Sequence, residues 1–110
     1  MRKPREYSVQ WTRTACADLN AILEYIAQDD IATAASILDR LEQRAETLAT
    51  IPMRGRVVPE LAAFGIQVYR EIVLSPWRII YRISGKTVNV LAVVDGRRNL
   101  EDLLLERFVR

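Results

Sequence analysis

Apolar residues in this chain change their spacing once, across Ile51–Glu60. Before that stretch they recur every three or four residues, the helical period; after it they recur every second residue, the strand period. In the first half Cys16, Leu19, Ile22, Leu23 and Ile26 mark an amphipathic helix over about residues 13–27, with Thr12 placed to cap it. Asp29-Asp30 breaks that helix and offers a new cap. Ile31, Ala34, Leu38, Leu41, Ala45 and Leu48 then form a second stripe, to about Ala49. So short a connection makes the two helices an antiparallel hairpin, and both stripes read as core. The break, Ile51-Pro52-Met53-Arg54-Gly55-Arg56-Val57-Val58-Pro59-Glu60, reads as a connection, with a helical turn expected over Glu60–Phe64.

Ile66–Leu74, Trp77–Ser84 and Thr87–Val94 are dense in Ile, Val and Tyr, and tight turns at Ser75-Pro76 and Ser84-Gly85-Lys86 join them. They predict a three-stranded antiparallel meander. Trp77, Ile79, Tyr81 and Ile83 fall on one face of the middle strand, and Arg78, Ile80, Arg82 and Ser84 on the other. One face is expected on the helices and the other partly in water. Glu6–Trp11 alternates as an N-terminal strand. Asn99–Val109 reads as a short C-terminal helix capped by Asn99, with Leu100, Leu103, Leu104 and Phe108 as its apolar stripe. The fold class is α+β, a single domain over residues 1–110, since neither half could bury a core alone.

Composition narrows the chemistry. The chain has no histidine, which removes His-based triads, common His metal sites and the usual general base. Its single cysteine, Cys16, lies on a helical stripe with no histidine to activate it and reads as packing. A lone cysteine forms no internal disulfide and suits a reducing cytoplasm. No apolar run approaches the roughly 20 residues that span a bilayer, and no apolar segment follows the basic Met1-Arg2-Lys3-Pro4-Arg5, so neither a membrane span nor a secretory leader is expected. There is no glycine-rich phosphate loop and no paired-cysteine metal site; no cofactor and no metal are expected. Asp29-Asp30 reads as a helix cap, and Asp95 as the partner of a nearby arginine.

The first half is net acidic and the second net basic, and of the 16 cations only Lys3 and Lys86 are lysine. Arginine favours planar bidentate partners, phosphate and carboxylate. Arg70, Arg78, Arg82, Arg97 and Arg98 lie on or just after the predicted sheet, with Arg78 and Arg82 on one face, about 13–14 Å apart by the strand rise. Such a set binds RNA phosphates or an acidic peptide; alternatively it forms ion pairs with Glu71, Asp95, Glu101 and Asp102. Trp77 reads as a core aromatic or as a stacking platform beside Arg78.

Several segments, in order, resemble the RelE/ParE family of toxins from type II toxin–antitoxin modules. They are Tyr7-Ser8-Val9-Gln10-Trp11-Thr12 with Ala15 and Asp18-Leu19; Pro52, Gly55-Arg56 and Pro59-Glu60-Leu61; Tyr69-Arg70-Glu71; Trp77-Arg78-Ile79-Ile80-Tyr81-Arg82; and Val88–Val94 with Gly96-Arg97-Arg98. The resemblance spans about residues 6–108 and implies a two-helix hairpin on a small antiparallel sheet. In the family's ribonuclease branch, lysines before the meander turn, two arginines and a terminal tyrosine cleave messenger RNA in the ribosome. The arginines match Arg78 and Arg98, but Tyr69 and Glu71 stand near the lysine positions and Leu104 near the tyrosine. The ParE-like branch inhibits DNA gyrase and carries an arginine placed as Arg70 stands to Trp77. Asp95, where that branch often has histidine, and the Pro76-Trp77-Arg78 opening depart from its pattern.

The resemblance therefore implies a cytoplasmic, growth-inhibiting toxin of the plasmid-stabilisation kind, more ParE-like than RelE-like. It would bind DNA gyrase and be neutralised in a hetero-oligomer with a cognate antitoxin. Arg70, Arg78, Arg82, Arg97, Arg98 and Trp77 are the expected antitoxin- or target-binding residues, with no catalytic residue. The alternatives are a ribosome-dependent messenger RNA endoribonuclease, in which Arg78, Arg82 and Arg98 would be catalytic, and a non-toxic homologue that only binds antitoxin.

Overall fold

The computed structural model describes residues 6–109, so the basic stretch 1–5 lies outside the described residues. Chain order is β1 (Ser8–Trp11), α1 (Arg13–Ala27), α2 (Ile31–Glu46), β2 (Arg56–Val57), α3 (Pro59–Ala62), β3 (Tyr69–Leu74), β4 (Trp77–Ser84), β5 (Thr87–Asp95) and α4 (Glu101–Phe108). Two 3₁₀ turns, Thr47–Ala49 and Pro52–Arg54, lie between α2 and β2. The strands form one sheet in the order β1-β5-β4-β3-β2. The meander β3-β4-β5 is antiparallel, and β1 joins it parallel to β5, with Ser8 opposite Thr87 and Trp11 opposite Val90.

The helix starts follow from their caps. Thr12 Oγ1 accepts from the Ala15 N–H at 3.2 Å, and Asp30 Oδ1 accepts from the Thr33 N–H at 3.2 Å. The hairpin packs on one sheet face. Ala15, Leu19, Leu41, Ala45 and Leu48 meet Ile72, Leu74, Ile79, Tyr81, Val88 and Val90, with Trp11 and Trp77 at the margin. Two expected stripe residues are exposed. Cys16 is exposed and Ala15 takes its place; Ile31 is exposed because it opens α2 at the hairpin tip.

The opposite face is not left wet. Val58, Leu61, Ile80, Ala92, Val94, Leu100 and Leu104 form a second core under α3 and α4, flanked by Tyr69 and Phe108. The period marked an apolar stripe on α4 but not the sheet face it covers, and α3, with 4 residues, is too short to show by period which side it buries. Several boundaries also shift. The α-helical part of α2 ends at Glu46, β1 starts at Ser8, and β3 starts at Tyr69. Asn99 stands one residue before the cap position, its side chain accepting from Glu101 N–H at 3.3 Å. The register shifts between Ile80 and Tyr81, which face Ala92 and Val90, so Leu91 is an extra residue in β5.

Tyr81 ties the break to the sheet. Its fully buried hydroxyl donates to Pro52 C=O at 2.7 Å and accepts from Gly55 N–H at 2.9 Å. A side chain at residue 55 is impossible without movement: a Cβ there would lie 2.4 Å from Glu71 O and 2.6 Å from the Tyr81 hydroxyl. Gly55 is thus required by close approach, which leaves room for Arg56 and Val57 to pair with Glu71 and Arg70 as β2.

Candidate functional site

A groove of about 580 Å³ lies between α1, the end of β5 and α4. Its construction starts where β1 stops. Thr12 N–H donates to Val90 C=O, and beyond that point β5 has an open edge. Asp18, further along α1, closes part of that edge by accepting from Val93 N–H at 3.0 Å. The same carboxylate takes both terminal nitrogens of Arg107, at 2.8 and 2.9 Å, and so fixes α4 against α1. The Arg107 guanidinium is held charged by this bond, its pKa raised. Ile22, Ile26, Trp77 and Leu103 give the groove an apolar lining, and Tyr25, Arg97 and Arg98 also line it. Tyr25 is 74 % exposed, a large aromatic surface with little cover.

Three of the six residues expected from the sequence thus share this groove: Trp77, Arg97 and Arg98. Arg97 is held by Asp95 through two side-chain bonds of 2.7 and 3.0 Å, as the sequence suggested for Asp95. The pair lowers the Asp95 carboxyl to about 2, chiefly through the Arg97 side chain. Arg98 is exposed and has no ion-pair partner among the described residues.

Arg78 lies on the other face and is buried, 7 % exposed. Its terminal nitrogens form a bidentate pair with Glu60 on α3, both bonds 2.7 Å, while its Nε donates to Glu71 Oε1 at 2.7 Å. Glu71 Oε2 in turn accepts from Arg56 Nε at 2.7 Å. The hydrogen bond from Arg78 lowers the Glu60 pKa and that from Glu60 raises the Arg78 pKa. Gly96 makes room for the arginine stem, since a Cβ there would lie 3.0 Å from Arg78 Cδ. Among the described residues no buried side-chain nitrogen or oxygen is left without a partner.

The remaining two arginines stand apart. Arg70 follows the register of Tyr81 onto the hairpin face, where it donates to Gly55 C=O at 2.7 Å. Arg82 is exposed near the far end of β4, its guanidinium 5.9 Å from the Tyr69 ring centroid. The five arginines are therefore not one constellation. Glu101 and Asp102 make no ion pair with them; Glu60, Arg56, Asp18 and Arg107 supply contacts that the arginine pattern did not indicate. For Glu60, Arg56 and Asp18 the only sequence signal was position within the segments Asp18-Leu19, Gly55-Arg56 and Pro59-Glu60-Leu61; Arg107 had none.

Chemically, the groove suits an amphipathic segment: apolar contact along its floor and hydrogen bonds from arginine at its rim. Among the described residues no three Cys, Asp or Glu side chains cluster in a way that could hold a metal ion. No described helix is long and apolar enough to cross a membrane. Burial raises the Tyr81 phenol above its ordinary value of 10.0, away from a general-base role.

Residues 9–100 match the family model for the ParE toxin of the type II toxin–antitoxin system parDE. Over 90 residues the chain is 29 % identical to toxin ParE3 of Caulobacter vibrioides, covering 81 % of this chain and 86 % of that one. It is 34 % identical to toxin RelE2 of the same organism over 91 residues, 82 % of this chain and 96 % of that one. Among solved structures, the chromosomal ParDE system of P. aeruginosa superposes with a TM-score of 0.68 at 23 % identity, covering 84 % of this chain and 98 % of that one. The RelBE2 toxin–antitoxin complex of Mycobacterium tuberculosis superposes with a TM-score of 0.55 at 24 % identity, covering 86 % and 97 %. These two likenesses bear on the fold, an N-terminal strand and helical hairpin on an antiparallel meander. With the family model matching from β1 to the start of α4, the chain belongs to the ParE toxin family of type II toxin–antitoxin systems.

Proposed function

We propose that this toxin arrests growth by binding DNA gyrase, without a chemical step of its own, and that a cognate antitoxin neutralises it by laying an amphipathic segment in the groove between α1 and α4. The observation that carries the first half is the state of Arg78. The resemblance to the ribonuclease branch would need this arginine free to face a phosphate. Here it is buried and saturated by Glu60 and Glu71. An incoming phosphate would have to displace two carboxylates from a guanidinium already withdrawn from water, against like-charge repulsion. Glu71, near an expected lysine position, is part of the same obstacle.

The groove supports the second half. It is apolar along its base and bordered by Arg98, which no described carboxylate engages. Helix-in-groove recognition uses that arrangement, with acidic residues of the partner meeting the arginines. The toxins in the ParDE and RelBE structures share this chain's fold.

Two assays run side by side test the reading. Purified protein is added to supercoiling by gyrase and to translating ribosomes charged with messenger RNA. Inhibited supercoiling with intact message is expected. Codon-positioned cleavage with unaffected supercoiling would reverse the assignment and make Arg98 a catalytic candidate. Expression of the chain alone should arrest bacterial growth, with recovery when an antitoxin is supplied; normal growth while the folded protein accumulates would leave only the antitoxin-binding role.

A further inference from the structure

A second, smaller cleft of about 390 Å³ lies on the hairpin side of the molecule. Arg40, Gln43, Arg44 and Thr47 of α2 and the turn after it line one wall, Arg54 of the second 3₁₀ turn another, and Leu74 at the end of β3 the floor. The Arg40 and Arg54 side chains make no hydrogen bond or ion pair among the described residues, and both residues are exposed. Arg44 is held in place by one bond, from Nη1 to Val73 C=O at 2.7 Å, which leaves its remaining donors free. Asp39, beside Arg40 in sequence, is engaged by the Gln43 amide at 3.1 Å. The Thr47 hydroxyl donates to Arg44 C=O at 2.6 Å. Three guanidiniums from two separate elements therefore border one cleft without a carboxylate bonded to any of them.

We infer that this cleft is a contact site for the phosphate backbone of duplex DNA. Arginine, threonine and glutamine are the side chains that hold phosphates in register without reading sequence. A protein contact anchored on arginine needs packed surroundings that exclude water. The cleft offers only Leu74, itself 6 % exposed. No aromatic residue lines it, so it has no platform on which unpaired bases could stack. The choice of DNA rests on the gyrase reading, since gyrase holds duplex DNA. The contact would add affinity on the gyrase–DNA complex over gyrase alone.

The test uses the whole chain and a labelled duplex of roughly 20 base pairs of arbitrary sequence, without gyrase, read by fluorescence anisotropy. Three arginine–phosphate contacts give a log–log salt slope of about −2.7, or roughly 40-fold weaker binding between 50 and 200 mM salt. In the variant Arg40→Gln with Arg54→Gln the slope should fall to about −0.9, a loss of only roughly fourfold over the same span. Both positions are exposed and unpaired, so this variant keeps the fold. The comparison variant is Arg13→Gln with Lys86→Gln, which removes the same charge elsewhere and should leave the slope near that of the wild type. Equal slopes for the two variants would overturn the inference, since net charge alone would then account for binding. So would tighter binding of a poly-glutamate peptide of matched charge, which would make the cleft a protein site, or no DNA binding by the wild type at 50 mM salt. Gyrase inhibition without DNA binding removes this inference alone; DNA binding without gyrase inhibition removes the gyrase reading and leaves the DNA site.

Discussion

The two faces of the sheet are held down by different physics. On the hairpin face, α1 and α2 bury aliphatic side chains against Ile79, Val88 and Val90, and the main polar group there is the Tyr81 hydroxyl. On the other face, two short helices cover a smaller apolar core, and beside it Arg56, Glu71, Arg78 and Glu60 form one charged chain of contacts. The first is stabilised mainly by removal of apolar area from water, which is non-directional and tolerant of volume-conserving change. The second depends on each partner being present, because a buried charge that loses its counter-ion keeps its desolvation penalty. The difference explains how an arginine on a toxin's sheet can be structural: its alternation placed Arg78 on a face, and α3 then supplied the carboxylate that closed it off.

Breaking one link on the charged face should therefore have the largest effect. Glu71→Gln leaves Arg78 and Arg56 short of a carboxylate at a position that is 1 % exposed. It should cost about 3–5 kcal/mol in urea unfolding. Leu41→Ala on the hairpin face should cost about 2–5 kcal/mol, by lost transfer energy and a cavity. The two are separated by rescue. Glu71→Leu combined with Arg78→Met replaces a charge pair by apolar volume and should recover most of the loss, whereas no second charge change recovers Leu41→Ala. If the double variant is as unstable as Glu71→Gln, the network is specifying the packing of α3 as well as balancing charge.

The same contrast governs what could be read from the chain. The hairpin was legible because Thr12 and Asp30 cap helices of 15 and 16 residues, long enough for the period to repeat. Its errors were ones of phase: Ala15 and Cys16 are consecutive, about 100° apart around the helix, and Ile31 lies in the first turn, beyond the reach of the sheet. On the charged face Glu71 was named as an arginine partner, but the rest was illegible because its contacts join residues from four short or distant pieces. Arg56 belongs to a strand of 2 residues and Glu60 to a helix of 4, neither with a period of its own. Trp77, Arg97 and Arg98 reached one groove because the antiparallel register sets Trp77 opposite Asp95. Arg82 and Arg70 did not, one being far along β4 and the other on the hairpin face.

A smaller effect is expected from Tyr81→Phe, which keeps the ring and removes the hydroxyl. Gly55 N–H and Pro52 C=O then lose their common partner. The expected loss is about 1–3 kcal/mol, the desolvation cost of unsatisfied buried groups. Because Gly55 leads into β2, amide exchange in this variant should rise first at Gly55 and Arg56. Uniform acceleration across the chain would place the Tyr81 bond in global rather than local stability.

The smallest effect is the response to pH, and it separates the faces without mutation. Glu60 has its pKa lowered from 4.5, chiefly by the hydrogen bond from Arg78. Below 4.5 the unfolded chain takes up a proton that the folded one still refuses. Unfolding then gains free energy, and the stabilisation present above 4.5 is lost as pH falls through the lower folded value. Tyr81 behaves in the opposite sense. Burial raises its pKa above 10.0, so the unfolded chain gives up the phenolic proton first, and stability present below pH 10 declines as pH rises past it. Between those limits neither group contributes a slope. Urea midpoints measured from pH 3 to 11 should show a flat centre and two falling limbs. Glu60→Gln should flatten part of the acid limb and leave the alkaline limb in place, while Tyr81→Phe should do the reverse. If Glu60→Gln altered the alkaline limb instead, the charged network and the tyrosine latch would be coupled through β3 and β4, and the two faces would unfold as one unit rather than as two differently held layers.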